Sequence, residues 1–319
     1  MVMPRFSVII PLYNKAPYVA KAIQSVLAQT FSDYELIVVD DGSKDDSVVI
    51  ASQALKGRQN CRLIQRENTG VSMARNNGVA VSQSDFLCFL DADDWWEPTF
   101  LEEMAGLIER HPDSGIYGTG YHIVKNGKKR VAPIGVDDGF GEGEINYCQE
   151  YAKTLCMPLW TGAVCMPRNV FEELGGFPTG IKLGEDFLLW IRVALKYNVI
   201  LLNKPLSNYN QDVDISFRGT HNKRYDPDTF MTFFFDRFEK EEKENHDLKV
   251  LLDRIRVYTL LNFRQYNLYP ERVNREIAKV DFFNVKAIYK FYYHAPYWMV
   301  CLYLRAARLL SIIKQKLLK

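Results

Sequence analysis

The order of hydrophobic and polar positions predicts alternating strands and helices over the first 110 residues. Short apolar runs at 6–11, 34–40, 62–65 and 86–90 have the length of buried strands. The intervening segments, 17–29, 45–55, 70–81 and 98–110, carry apolar side chains at helical spacing. This alternation is typical of an α/β fold built on a doubly wound parallel sheet.

The alternation loosens beyond residue 110. We expect strands at 116–124, 161–166 and 199–202, helices at 147–156, 168–174 and 184–197, and a glycine-rich, charged loop at 125–143. From residue 227 onwards the pattern is helical. The sequence thus predicts three regions: an α/β half at 1–115, a second half of the same domain at 116–224, and a helical C-terminal region at 225–319.

Clustered carboxylates follow the apolar run that ends at Leu90. Asp91, Asp93 and Asp94 lie within four positions, directly before two tryptophans. Open α/β sheets bind ligands at the carboxyl ends of their strands, which is where these acids are expected. Carboxylates this close repel one another unless a cation lies among them, and oxygen ligands suit Mg²⁺ or Mn²⁺. The alternative is a solvated acidic turn.

Two other strand ends are expected at the same edge of the sheet. The first carries Pro11 and Tyr13, and the second carries Asp41. A nucleobase needs an apolar face and an acceptor for its ring N–H, and Asp41 is our candidate acceptor, bordered by Pro11 and Tyr13. The alternative for Asp41 is an ordinary turn that caps a helix.

Arg75 lies on the predicted helix after the third strand, from which its guanidinium could contact a diphosphate. A surface salt bridge is the alternative.

Three tryptophans, Trp95, Trp96 and Trp190, could stack on sugar faces or pack in the core.

Composition gives a broad classification. The net charge is +1 and 47% of residues are hydrophobic, so nothing points to a nucleic-acid partner. Six scattered cysteines without a CxxC pair fit buried free thiols in a reducing compartment. No apolar run reaches the ~20 residues of a membrane span, and we expect no signal peptide because a strand starts almost at once. A cytoplasmic location is therefore expected.

Five motifs together resemble the family 2 glycosyltransferases. SVIIPLYN, VVDDGS, NTGVSMARNNG, FLDADDWW and LGGFPTGIKLGEDFLLWIRVAL occur in that family's order and spacing, over about residues 5 to 210. The resemblance implies a GT-A fold, which is a Rossmann-like mixed sheet with flanking helices. It also implies a nucleotide-sugar donor, a divalent metal and inversion at the anomeric carbon.

The resemblance also assigns roles on the donor side. It places Pro11, Tyr13 and Asp41 at the nucleotide, with Arg75 nearby. The same resemblance implies that Asp93 is the main ligand of Mn²⁺ or Mg²⁺. Asp91 would lie towards the donor ribose or sugar and would be the second candidate ligand of the metal. His221 would complete the metal shell, as a C-terminal histidine does in some GT-A enzymes, with a flexible-loop histidine as the alternative.

On the acceptor side, the resemblance makes Asp186 the catalytic base. An acceptor hydroxyl has a pKa far above 7, so its attack requires a base that takes the proton as the bond forms. The alternative for Asp186 is a carboxylate at a helix N-terminus that interacts with the helix dipole. The family's tyrosine–arginine pair after this segment is missing, since residues 208–212 read NYNQD.

We therefore expect an inverting, metal-dependent transferase of the hexosyl or N-acetylhexosaminyl type. Its donor would be a nucleotide sugar, UDP-linked, and its acceptor a hydroxyl of a glycan or lipid-linked saccharide in surface polysaccharide synthesis. Other hypotheses are a nucleotidyltransferase, a glycoside hydrolase with paired carboxylates, and an inactive homologue that acts as a binding module.

The C-terminal end allows two interpretations. Residues 289–319 combine aromatic side chains with a basic, leucine-rich tail. This composition fits a helix that lies in a membrane interface, which would make the protein peripheral on the cytoplasmic face of the inner membrane. A helix packed on the catalytic domain is the alternative.

Overall fold

The structure is a computed structural model that describes residues 3–217, 226–300 and 302–306. The chain divides into two compact units, Met1–Arg224 and Tyr225–Lys319.

The described part of the first unit is built on one sheet. Its strands are β1 Phe6–Leu12, β2 Tyr34–Asp40, β3 Cys61–Gln65, β4 Phe86–Phe89, β5 Trp95–Trp96, β6 Ile116–Lys125, β7 Lys128–Val131, β8 Glu142–Ile145, β9 Val164–Pro167 and β10 Val199–Asn210. Their order is β3-β2-β1-β4-β9-β6-β10-β5, with β7 beside β6 and β8 beside β10.

The sheet is mixed. Strands β3, β2, β1 and β4 run parallel to one another, and so do β6 and β10. Strand β9 is antiparallel to both β4 and β6, and joins the two parallel parts. Strand β5 pairs antiparallel with β10, so the chain that leaves β4 through the acidic cluster turns directly towards β10.

Helices cover the sheet. In the first unit they are α1 Val19–Leu27, α2 Ser47–Leu55, α3 Val71–Val81, α4 Phe100–Arg110, α5 Tyr147–Thr154, α6 Arg168–Glu173 and α7 Glu185–Ala194, with 3₁₀ turns at Thr161–Ala163 and Ile215–Phe217. Every residue of β1 and β2 is buried, as expected for strands covered on both faces. Helix α1 buries side chains one turn apart, at Val19, Ala22, Ile23 and Val26.

The main differences from the predicted elements lie beyond residue 125. The expected loop at 125–143 contains β7. Its sequence, KKRV, shows no alternation of apolar and polar residues that would predict a strand. Strand β10 does not stop at Leu202 but continues to Asn210, with register shifts on either side of Pro205. Bulges of this kind accommodate a proline that interrupts the pairing.

The regular elements described in the second unit are helices. They are a 3₁₀ helix at Met231–Phe238, α8 Glu239–Glu244, α9 His246–Thr259, α10 Leu261–Gln265, α11 Pro270–Ile277 and α12 Ala287–His294, with further helix at 297–300 and 302–306. Their core holds a fully buried guanidinium, Arg256, which donates to Glu242 at 2.8 Å and to Glu276 at 3.5 Å. A buried charge requires such partners.

Within the residues that the structure describes, none of the helices combines the length and apolar character needed to cross a bilayer.

Candidate active site

Three strand ends meet at one edge of the sheet, as the sequence predicted. The register of β1 with β2 and β4 brings Tyr13, Asp41 and Asp91 to this edge, each just after its strand. Pro11 is buried inside β1, opposite Val39, whereas the Tyr13 side chain is 45% exposed. Tyr13 is therefore accessible at the edge where a nucleotide is expected.

The Asp41 carboxylate holds the loop that leads into α3. It accepts hydrogen bonds from the backbone N–H of Thr69 at 2.9 Å and of Gly70 at 2.8 Å. The neighbouring Gly42 has φ of +77°, and a Cβ there would lie 3.1 Å from the Asn68 nitrogen, so glycine suits this turn. Asp41 thus lies in a turn, but its carboxylate binds the loop before α3 rather than capping the helix that follows it in the chain, and its contact with a base stays a prediction.

Asp93 is partnered by a lysine that the sequence did not suggest. The Lys15 ammonium forms an ion pair with the Asp93 carboxylate and donates a second hydrogen bond to the Phe217 carbonyl at 2.7 Å. Burial raises the pKa of Asp93, the Lys15 charge partly opposes this rise, and the Asp91 charge adds to it. The expected repulsion within the cluster is thus present.

Arg75 links the acidic cluster to the start of α7. Its guanidinium donates to Asp91 at 2.7 Å and to Glu185 at 2.8 Å, and lies 4.9 Å from the centroid of the Phe177 ring. The side chain is only 4% exposed. Burial alone would lower the pKa of Arg75, but Asp91 and Glu185 raise it above its ordinary value. The pair is internal, unlike the surface salt bridge considered from sequence, and contact with a diphosphate stays a prediction.

Asp94 is the most enclosed acid of the cluster. It accepts hydrogen bonds from the Asn210 backbone N–H at 2.8 Å and from the Trp160 indole at 3.1 Å. Burial, together with the charges of Asp93 and Asp91, raises the pKa of Asp94 well above its ordinary value. This carboxylate ties the cluster to β10 and to the segment before β9.

Asp186 lies in the first turn of α7. Its carboxylate accepts from the Thr161 hydroxyl at 2.7 Å and from the Phe187 backbone N–H at 2.7 Å. Burial, reinforced by the Glu185 charge and opposed by Arg75, raises the pKa of Asp186 to about 6. At neutral pH the group is therefore mostly ionised, yet more basic than an ordinary aspartate, which suits a general base.

A divalent ion would find oxygen donors at Asp91 and Asp93. The part of the chain that the structure describes contains no group of three or more His, Cys, Asp or Glu side chains placed to hold a metal. Mg²⁺, however, is commonly bound by one or two carboxylates together with substrate phosphates. Two mutually repelling acids at a ligand-binding edge fit that donor set. His221 lies outside the described residues.

Two of the three tryptophans considered for sugar stacking are core residues. Trp96 stacks on Phe100 with ring centroids 4.1 Å apart, and Trp190 is fully buried. Trp160 was not recognised from the sequence, because it follows a proline-containing loop with no periodic signal. Its neighbour Thr161 was missed for the same reason.

The family profile described as Glycosyl transferase family 2 matches residues 7–171 of this chain, which is more than half of it. An uncharacterized glycosyltransferase of Rickettsia felis is 30% identical over 227 residues, 71% of this chain and 35% of that protein. Glycosyltransferase GlyA of Streptococcus pneumoniae is 31% identical over 217 residues, 66% of this chain and 31% of that protein. The chain thus spans about a third of the length of these relatives.

Among solved structures, S. aureus TarS 1-349 in complex with UDP-GlcNAc superimposes with a TM-score of 0.71 at 21% identity, over 86% of this chain and 79% of that chain. The same TarS fragment in complex with UDP gives a TM-score of 0.60 at 20% identity, over 95% and 92%. The predicted fold, a GT-A-type mixed sheet with flanking helices and a helical C-terminal region, is confirmed.

Proposed function

This chain belongs to glycosyl transferase family 2, and we propose that it moves a sugar from a nucleotide-sugar donor to an acceptor hydroxyl with inversion at the anomeric carbon. The observation that carries the proposal is the Arg75 guanidinium, which donates to both Asp91 and Glu185. It brings the acids at the end of β4 next to the turn of α7 that holds Asp186. The reaction needs both groups in one crevice, because the acids after β4 serve the leaving diphosphate and Asp186 serves the acceptor hydroxyl.

The base in this proposal is Asp186. It takes the proton of the acceptor hydroxyl as the oxygen attacks the anomeric carbon from the side opposite the leaving diphosphate. The loose, oxocarbenium-like character of such transition states lets a carboxylate serve as the base. A pKa near 6 keeps it ionised at pH 7 while increasing its basicity. Thr161 orients the carboxylate through its hydroxyl.

The donor binds along the edge formed by β1, β2 and β4. Tyr13, with Pro11 behind it, borders the base, and Asp41 accepts the base N–H. Because S. aureus TarS was crystallised with UDP-GlcNAc and with UDP, we take a UDP-linked sugar of the hexosyl or N-acetylhexosaminyl type as the donor. Arg75 holds Asp91 in place towards the ribose or sugar.

Asp93 and Asp91 hold a divalent ion, Mn²⁺ or Mg²⁺, in this proposal. When bound, the ion supplies Lewis-acid neutralisation of the charge that the leaving nucleoside diphosphate gathers. Burial raises the pKa of Asp93 and the Asp91 charge adds to this rise; that repulsion supports the role, because mutually repelling carboxylates gain from a shared cation.

The acceptor is a glycan or a lipid-linked saccharide of surface polysaccharide synthesis, used at the cytoplasmic face of the membrane. The C-terminal segment supports this part of the proposal. No Asp or Glu occurs from residue 282 to residue 319, whereas basic residues recur: Lys286, Lys290, Arg305, Arg308, Lys314, Lys316 and Lys319. The whole chain carries only +1, so this segment is a local excess of positive charge.

Exposed apolar side chains accompany that charge. Trp298 is 66% exposed and Leu302 63% exposed, one helical turn apart, while Val300 on another face is buried. Arg305 follows one turn later. An aromatic and basic face of this kind fits the interface of an anionic bilayer, and we assign peripheral membrane contact to it.

A donor panel tests the proposed function. The purified full chain is incubated with a set of nucleotide sugars and Mn²⁺ or Mg²⁺, and free nucleotide is measured. The proposal expects slow release of UDP from one donor, faster release with a saccharide acceptor, and loss of release with EDTA that added Mn²⁺ restores. Pyrophosphate formed from a nucleoside triphosphate and a sugar phosphate would indicate a nucleotidyltransferase. A folded protein that neither binds nor cleaves any donor would indicate a binding module.

A further inference from the structure

Trp160 lies on a layer of tyrosine rings. Its centroid is 4.1 Å from that of Tyr209 with the planes tilted by 35°, and 5.9 Å from that of Tyr121 with a tilt of 30°. The register pairs Ile123 with Tyr209 and Ser207 with Tyr121, so both tyrosines project from the same face of the sheet. One side of the indole is therefore backed by this face.

The same residue lies between the two carboxylate sites. The Trp160 indole N–H donates to Asp94 at 3.1 Å, and the hydroxyl of the next residue, Thr161, donates to Asp186 at 2.7 Å. Two consecutive residues thus contact the acidic cluster and the candidate base. In an inverting transfer, the reacting sugar carbon lies between the leaving group and the base, which is the region these two residues span.

The ring is fixed but not fully covered. Trp96 and Trp190 are 3% and 0% exposed, as core residues are, whereas Trp160 and Tyr209 are both partly exposed. The hydrogen bond to Asp94 and the contact with Tyr209 hold the indole in one orientation. A preorganised aromatic surface beside carboxylates is typical of a binding site for a small polar molecule with an apolar face.

A pyranose ring is a small polar molecule with an apolar face. Its C–H groups form an apolar face that packs on an aromatic ring, while the hydroxyl groups at its edge donate to carboxylates. We propose that the Trp160 indole, supported by Tyr209, is the platform on which a pyranose ring of the reaction lies. This inference rests on the proposed glycosyl transfer and adds a binding residue to it. The ring belongs either to the transferred sugar or to the acceptor, and the experiment distinguishes them.

The test replaces Trp160 in the 319-residue chain. Trp160→Leu removes the ring and its N–H, whereas Trp160→Phe keeps a smaller aromatic ring and removes the hydrogen bond to Asp94. Tyr266→Leu, which deletes an exposed aromatic ring of the second unit, is the control. Thermal unfolding shows that each variant is folded. Donor and UDP affinities are measured by calorimetry, and the acceptor KM by nucleotide release.

The loss of one aromatic contact corresponds to about a three- to tenfold change in binding. If the acceptor lies on Trp160, the leucine variant raises the acceptor KM by this factor, the phenylalanine variant less, and the donor affinity stays constant. If the transferred sugar lies there, the preference for the nucleotide sugar over UDP falls by the same factor.

The Trp160→Leu protein could be folded and active with a wild-type acceptor KM and a wild-type preference for the nucleotide sugar over UDP. That result would overturn the platform and leave the proposed function intact. If the Trp160→Leu variant does not fold, the acceptor KM and the preference for the nucleotide sugar over UDP are measured instead for Trp160→Phe and Tyr209→Leu, and the same outcomes apply. A wild-type protein that binds no nucleotide sugar would overturn the proposed function, and the platform with it.

Discussion

The Asp186 carboxylate determines the expected pH dependence. Its pKa is raised to about 6 by burial and by Glu185, and only the ionised form can accept a proton. We therefore expect kcat/KM for the acceptor to be level above about pH 6 and to fall tenfold per pH unit below it. The measurement is a pH–rate profile between pH 4.5 and 8.5. Donor affinity over the same range is the control, and a constant rate down to pH 4.5 would contradict this role.

Arg75 forms ion pairs with two carboxylates, so we expect its removal to lower the free energy of unfolding. Arg75→Met leaves Asp91 and Glu185 facing each other without their cation, and losing one partner of a buried pair typically costs about 3–5 kcal/mol. Denaturant unfolding measures the loss. Glu185→Gln in the same chain should recover part of it, because one of the unpaired charges is removed.

Additive effects of those two substitutions would show that Arg75 and Glu185 do not interact energetically. The bridge could then not be the element that holds the two carboxylate sites together.

The sequence placed the acids at the edge of the sheet but suggested few of their partners. Asp41, Asp91 and Asp93 were predictable because each follows an apolar run, and parallel strands end at a common edge. Lys15 and Trp160 were not, because their side chains meet Asp93 and Asp94 across long sequence separations. Only the folded chain brings such groups together.

At the scale of elements, α3 depends on a close approach to the sheet at Gly78. A Cβ at this position would lie 2.5 Å from Cγ2 of Ile9 and 3.3 Å from a methyl group of Val39. Gly78→Ala would gain up to about 1 kcal/mol of helix propensity, but overpacking typically costs about 1–3 kcal/mol. We expect net destabilisation, measured as a lower unfolding temperature, and reduced activity because α3 carries Arg75.

The matched control enlarges the space that the alanine needs. Ile9→Ala, which removes both Cγ atoms that face this position, combined with Gly78→Ala should be less destabilised than the sum of the two single changes. A Gly78→Ala protein with wild-type stability would show that α3 does not require this contact.

Element prediction worked where one periodicity dominated. Strands β1, β2 and β4 are short apolar runs, and α1 and α4 carry a regular buried face. It failed for β7, a run of four exposed residues that becomes a strand only by pairing with β6. It also ended β10 too early, because a strand can continue past a proline when bulges shift its register.

At the scale of the whole molecule, charge is distributed unevenly along the chain. The segment 282–306 contains Lys286, Lys290 and Arg305 and no acidic residue. We expect the full chain to bind vesicles that contain anionic phosphatidylglycerol more strongly than vesicles of phosphatidylcholine alone, and to be released by salt. Cosedimentation measures the bound fraction.

Trp298→Ser with Leu302→Ser should reduce that binding at least fivefold, because two exposed apolar side chains no longer enter the interface. Tyr266→Ser removes an exposed aromatic ring outside the segment and should leave the binding unchanged. Equal binding by the double variant and the wild type would exclude this face as the membrane contact.

Replacing Asp186 by asparagine separates donor binding from the chemical step. Asp186→Asn keeps the oxygen that accepts from Phe187 but cannot act as a base. We predict that the affinity of this variant for the nucleotide-sugar donor, measured by calorimetry, stays within twofold of wild type, while the rate of sugar transfer falls by about 10² to 10⁴. Transfer at the wild-type rate, or donor binding lost together with transfer, would contradict the assignment of Asp186 as the base.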